Sequence, residues 1–207
     1  KAWNVEALTT PELLAVDSCA VPAMESRETP DSKTIEDLVA TANRLYPRED
    51  GREWTAADTL KTVAVTVLHP EDDDHEGPWR EVIAVALPGD RQVDMKRLEA
   101  QFAPAELEES TEDDLKAHPE MVAGYMGPMV FGKQGEAAGV AEPVRFFIDA
   151  HVAEGTEWII GGDEAGKHRF HAVYGRDFKA DGTVEAVEVR HGDMSPDGSG
   201  PLSFERG

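Results

Sequence analysis

A chain of 207 residues with 40% hydrophobic residues is long enough for one domain with its own core, and no apolar run approaches membrane-spanning length. Its 42 acidic and 20 basic side chains give a formal net charge of −22 and a pI near 4.5, the reverse of the basic footprint of a free-standing nucleic-acid binder. The single cysteine, Cys19, excludes an internal disulfide framework and fits a reducing, cytoplasmic setting, and the start does not read as a signal peptide.

Lys1 to Leu8 begins mid-element and without an initiator Met, which predicts a segment of a longer protein. Thr9 to Glu28, with Pro11 and Pro22 and no sustained period, reads as a partly extended connector. From Thr34 the pattern changes. Ile35, Leu38, Val39, Ala42 and Leu45 fall at helical spacing, Thr34 and Asp37 suit an N-terminal cap, and Pro47 and Gly51 end the helix. Thr62 to Leu68 and Glu81 to Leu87 are β-rich runs separated by the acidic stretch from His69 to Pro78. That stretch holds two histidines and five carboxylates, but consecutive acids on a loop point into water rather than converge on a metal. Met95 to Gln101 and Thr111 to His118 are predicted helices, the second with early acids that suit the helix dipole. Strands follow at Val144 to Asp149, Trp158 to Ile160 and His168 to Tyr174, with turns at Gly161-Gly162 and Gly166. At the end, Asp197-Gly198 marks a turn and Leu202-Ser203-Phe204 begins a strand for which the remaining sequence offers no partner. Helices and strands are mixed rather than alternating, so the predicted class is α+β with a curved mixed sheet packed with helices.

Four places carry possible chemistry. Lys61 enters a strand, so its stem can lie along the sheet while its ammonium reaches a pocket mouth. The glycines of Gly124-Tyr125-Met126-Gly127-Pro128 allow backbone N–H groups to approach a ligand and stabilise an oxyanion. Asp149 ends an apolar strand, where a carboxylate either caps the following loop or joins a site. His168 follows the Gly166-Lys167 turn; His171, three residues on along a strand, faces the other way, so the two are not a ligand pair. There is no apparent Ser-His-Asp or Cys-His set.

The Thr59-Leu60-Lys61-Thr62 entry, the Gly124 to Pro128 loop, the acid at Asp149 and the Gly166-Lys167-His168 turn together resemble the editing domain inserted into the catalytic core of bacterial prolyl-tRNA synthetases. The tail from Gly192 resembles the stretch where those enzymes return to their class II core. The resemblance runs from Thr29 to Gly207 and is weaker before it. It departs at Pro88-Gly89-Asp90-Arg91, at Gly161-Gly162-Asp163 where the family has Gly-Ala-Asn, and at Ala150-His151 after Asp149, where it has Arg.

The resemblance implies an aminoacyl-tRNA deacylase-like fold, with residues 1–28 a connector from the core, 29–180 the editing domain and 181–207 the return. It implies hydrolysis of the ester of mischarged Ala-tRNA(Pro). Lys61, His168, Gly124 and Gly127 would act in catalysis, and Thr29, Tyr125, Met126, Pro128, Asp149 and Asp163 in substrate binding. Lys61 would orient the terminal adenosine or its phosphate, His168 would shape and polarise the pocket, and Asp149 would hold the substrate amine or the loop. It further implies no metal or cofactor for this domain (ATP and Mg belong to the parent core) and the aminoacylated 3′ end of tRNA(Pro) as partner. The parent would be a cytoplasmic homodimer with catalytic and anticodon-binding domains and no membrane contact. The competing reading is a non-catalytic insertion that positions tRNA or braces the synthetase core.

Overall fold

Two long strands, β2 (Thr59–His69) and β3 (Trp79–Pro88), pair antiparallel from Leu60↔Pro88 to His69↔Trp79 and form the middle of the computed structural model, which describes residues 3–204. On the far side of β3 lie β5 (Phe146–Asp149) and β8 (Gly182–Val184), both parallel to their neighbours. Beside β2, its first residues Thr59 and Leu60 run parallel to β6 (Glu157–Gly161), while Val65 to Leu68 pair with β4 (Glu106–Glu109). Beyond β6 come β7 (Lys167–Val173) and β1 (Glu25–Glu28), giving an eight-stranded mixed sheet in the order β1-β7-β6-β2-β3-β5-β8 with β4 on β2. The α+β class and the mixed sheet expected from the sequence are therefore present.

Both faces of the sheet are covered, which is why its central strands are near-continuous apolar runs. On one face Val65, Val67, Ile83 and Val85 pack with Leu98 from α2 (Met95–Glu99). The same face extends past β6, where Ile159 and Phe170 meet Leu38 and Ala42 from α1 (Ile35–Leu45), together with Trp54. Leu60, Ala84, Phe146, Ile148 and Ile160 form a second cluster with Phe131 and Phe178. Helix α1 has the predicted cap: the Asp37 N–H donates to Thr34 Oγ1 at 3.1 Å.

Strand β7 contains a bulge. Ile160 pairs with Arg169 but Trp158 pairs with Ala172, so Phe170 and His171 oppose Ile159 alone, and His171 takes a φ of +60°. The extra residue sends Phe170 to the α1 side and Ala172 to the opposite cluster, whereas in a regular strand both would share a face.

Several expectations are corrected. The last four residues of the stretch predicted as connector form β1, an edge strand of Glu25, Ser26, Arg27 and Glu28 whose charges gave no apolar alternation. Arg27 lies over the Tyr46 and Phe170 rings at 4.8 and 4.7 Å. Strands β4 and β8, and helix α4 (Gly132–Ala138), were also not predicted. The helix expected over Thr111 to His118 is reduced to α3 (Glu112–Leu115), since Pro119 disfavours helical backbone before it. The turn at Asp197-Gly198 is present, but Leu202 starts no strand. Instead it exchanges backbone hydrogen bonds with Gly192 and Asp193, a partner that precedes the turn. Lys1 and Ala2 at the predicted mid-element start, and Glu205 to Gly207 at the end, lie outside the described residues.

Phe170 is fully buried and in edge contact with both Tyr46 and Trp54. Phe170→Ala is expected to destabilise the protein by about 3–5 kcal/mol in urea unfolding, against less than about 0.5 kcal/mol for the control Leu14→Ala at an 88% exposed position.

Candidate functional site

The start of β2, the entry to α1, the loop from Gly124 to Gly127 and the β6–β7 turn enclose a cavity of about 260 Å³. Lys61, Gly124, Met126 and His168 all line it, as do Lys33 and Gly161, and no lining residue is a carboxylate. Four residues singled out from the sequence, spread over more than a hundred positions, are thus brought together.

His168 is 4% exposed, with its ring centroid 5.3 Å from that of the buried Tyr125. Its Nδ1 lies 2.6 Å from Oγ1 of the fully buried Thr29, whose own N–H donates to the Gly166 carbonyl at 2.7 Å. Burial pushes the imidazole pKa down to about 4, so the ring is neutral near pH 7. Among the described residues Nε2 has no partner. Thr29 and Tyr125 therefore stand behind the cavity wall and fix the ring that faces it.

The loop is held backbone against backbone. A Cβ on Gly127 would lie 2.0 Å from the Gly161 carbonyl oxygen, and one on Gly161 would lie 2.1 Å from that of Met126. Only glycine allows this approach. Asp163, with a φ of +59°, fastens the contact: its N–H donates to the Tyr125 carbonyl at 2.9 Å, and its Oδ1 accepts the Gly127 N–H at 2.7 Å. Arg169 holds Oδ2 at 2.6 Å. Burial raises the Asp163 carboxyl above its usual range, opposed by Arg169 and the Gly127 N–H. The Tyr125 N–H is likewise taken, by the Val122 carbonyl. The N–H groups of Gly124 and Met126 have no acceptor among the described residues, and both residues line the cavity. The backbone donors expected at Gly124 and Gly127 are thus Gly124 and Met126; Gly127 is a packing residue whose N–H is occupied. Pro128 is buried at the head of a short 3₁₀ turn and does not line the cavity.

Lys61 is half-buried, and burial lowers its pKa against the opposing pull of Glu188 and Asp90. It has no ion-pair partner among the described residues.

Asp149 is not at the cavity. Its carboxylate is fully buried on β5, where Oδ2 accepts the N–H groups of Ala186 and Val187 at 2.7 and 3.0 Å, and Oδ1 accepts the His151 N–H at 2.8 Å. Of its two predicted roles the structural one fits, since those bonds tie the segment after β8 to the sheet. The stretch from His69 to Pro78 also stays apart. Its acids are exposed, and Trp79 stacks between His69 and His75 with centroids at 3.9 and 4.2 Å. His171 turns to Glu157, with Nδ1 2.6 Å from Oε1, away from His168.

Lys33 and Arg169 were missed. Lys33 precedes a helix cap in a polar run, and Arg169 follows the pocket histidine; neither setting distinguishes them from surface cations.

Residues 29–178 match the family model of the aminoacyl-tRNA editing domain. Over its whole length the chain is 67% identical to the proline--tRNA ligase of Bifidobacterium longum, 50% to that of Kineococcus radiotolerans and 46% to that of Cutibacterium acnes. It spans 35%, 33% and 33% of those proteins, about a third of their length. The crystal structure of a hypothetical protein superposes with a TM-score of 0.52 at 12% identity, covering 80% of this chain and 92% of that one, a likeness of fold.

The buried imidazole makes stability depend on pH. Unfolded histidine protonates near 6.5 and His168 near about 4, so between these values the unfolded state holds more protons and stability falls as pH drops. His168→Gln is expected to remove this contribution. Urea unfolding at about pH 7 and pH 4.5 should show a larger loss for the unmodified protein than for the variant. Equal losses would mean that His168 protonates freely in the fold.

Proposed function

The chain belongs to the aminoacyl-tRNA editing domain family, and from that premise we propose that it hydrolyses the ester of alanine mischarged onto tRNA(Pro), as the editing segment of a proline--tRNA ligase. In this reading residues 1–28 and 181–207 connect residues 29–180 to the synthetase core. The observation that carries it is the joint lining of one small cavity by Lys61, His168 and two residues whose backbone N–H groups lack acceptors.

The need for such a site is energetic. A synthetic site shaped for proline cannot exclude alanine by size. The two differ by about two methylenes at roughly 0.8 kcal/mol each, so binding alone discriminates by about tenfold to a few hundredfold. A second site that admits only the smaller product supplies the remainder. A cavity of about 260 Å³ suits a small acyl group.

Water attacks the ester carbonyl carbon, the carbonyl oxygen takes on negative charge, and the N–H groups of Gly124 and Met126 stabilise it. The carbon–oxygen bond to the ribose then breaks, the ribose oxygen takes the proton that water gives up, and alanine and tRNA leave. The neighbouring ribose hydroxyl assists that transfer. Neutral His168 shapes the acyl pocket, and Lys61 meets the terminal nucleotide. The reaction needs only water, without a cofactor from this domain.

In the full-length protein, deacylation of Ala-tRNA(Pro) is expected with Pro-tRNA(Pro) spared. Lys61→Ala should lower deacylation by at least about tenfold, the scale of one lost charge-assisted contact, while prolylation persists. No deacylation by the unmodified protein would favour a non-catalytic insertion. His168→Ala should open the pocket so that prolyl ester is cleaved as well. Unchanged discrimination between the two esters in that variant would make His168 a purely structural residue.

A further inference from the structure

We propose that Lys33 is a second phosphate-binding cation of the site, acting with Lys61 on the phosphodiester of the substrate's terminal nucleotide. The inference rests on the editing reading and assigns the residue that completes its anion contact.

Lys33 and Lys61 line the same cavity from opposite elements, the residue before the α1 cap and the start of β2. Neither has a hydrogen bond or an ion pair among the described residues, although the chain carries 42 carboxylates. No carboxylate lines the cavity, so the cleft inverts the sign of a protein at −22. Two uncompensated ammonium groups at one rim raise each other's energy, and an anion between them relieves both.

The Lys33 stem is held in place. Gly124, at a φ of +81°, approaches it so closely that an added Cβ would lie 2.7 Å from Lys33 Cβ and 2.9 Å from Cγ. The loop glycine thereby seats the aliphatic stem, and the ammonium is presented at the rim. The same contact joins the cation to the residue that offers an oxyanion donor. An anion bound by Lys33 would sit next to the reacting ester.

The substrate's chemistry identifies that anion. In an aminoacyl ester the amino acid's carboxylate is masked and its amine is a cation, which two lysines repel. The nearest negative charge is the phosphodiester on the 5′ side of the terminal ribose. Free inorganic phosphate shares this chemistry and should compete for the same lysines.

The test compares Ala-tRNA(Pro) with the phosphate-free alanyl ester of adenosine on the full-length protein, unmodified and as Lys33→Ala and Lys33→Arg. Lys33→Ala is expected to lower the ratio of kcat/KM for tRNA over the nucleoside ester by about tenfold, the scale of one charge-assisted contact. Its logarithmic salt dependence on tRNA should become shallower by about 0.7, inhibition by inorganic phosphate should weaken, and Lys33→Arg should restore the ratio. Residual cleavage of the nucleoside ester shows that the variant is folded. An unchanged ratio and salt slope, or equal losses on both substrates, would overturn the proposal while leaving the editing reading intact. Inactivity of the unmodified protein on both substrates would overturn both.

Discussion

The site depends on a contact between two stretches of bare backbone. Gly127 lies against the Gly161 carbonyl, and Gly161 against the carbonyl of Met126, at separations that leave no room for a Cβ on either side. A contact of this kind has no side chains to define its register, so something else must fix it. Asp163 does so through its own N–H and one carboxylate oxygen, and Arg169 secures the other oxygen. The loop's donors sort themselves as a result. Alternate N–H groups are consumed in holding the loop, and those between them are left for the cavity.

Charge is segregated in the same region. An acidic surface keeps phosphate at a distance and keeps the chain soluble without selecting a partner. The cleft holds the opposite sign, with lysines on both sides and a neutral imidazole at depth. A polyanion therefore gains little from lying along this surface, whereas the end of one can enter the cleft. Recognition of the rest of a long ligand falls to whatever lies outside this chain.

What was legible in the sequence is what is encoded locally. Helix α1 could be read because its apolar period and its cap both lie within a dozen residues, and β2 and β3 because burial on both faces leaves unbroken β-branched runs. Lys61, His168 and the glycine loop were legible as motifs. Strands β1 and β4 were not, because edge strands pair through their backbones and their charged side chains carry no alternation. The role of Asp149 was hidden because its partners, the N–H groups of Ala186 and Val187, lie 37 and 38 positions away. Asp163 was visible only as a departure from a turn motif; its meaning lies in Arg169, six residues later across the turn.

The bulge in β7 has a consequence for how this strand can change over time. Up to Phe170 its side chains follow one alternation, with His168 toward the cavity and Phe170 toward α1; from Ala172 the alternation is inverted. The strand thus counts residues more strictly than it reads them. A conservative exchange at any one position disturbs one contact, but loss of a single residue between Phe170 and Ala172 would restore even parity and turn everything on one side of the deletion to the wrong face. In β7 length is the more tightly constrained quantity, and side-chain identity the looser one.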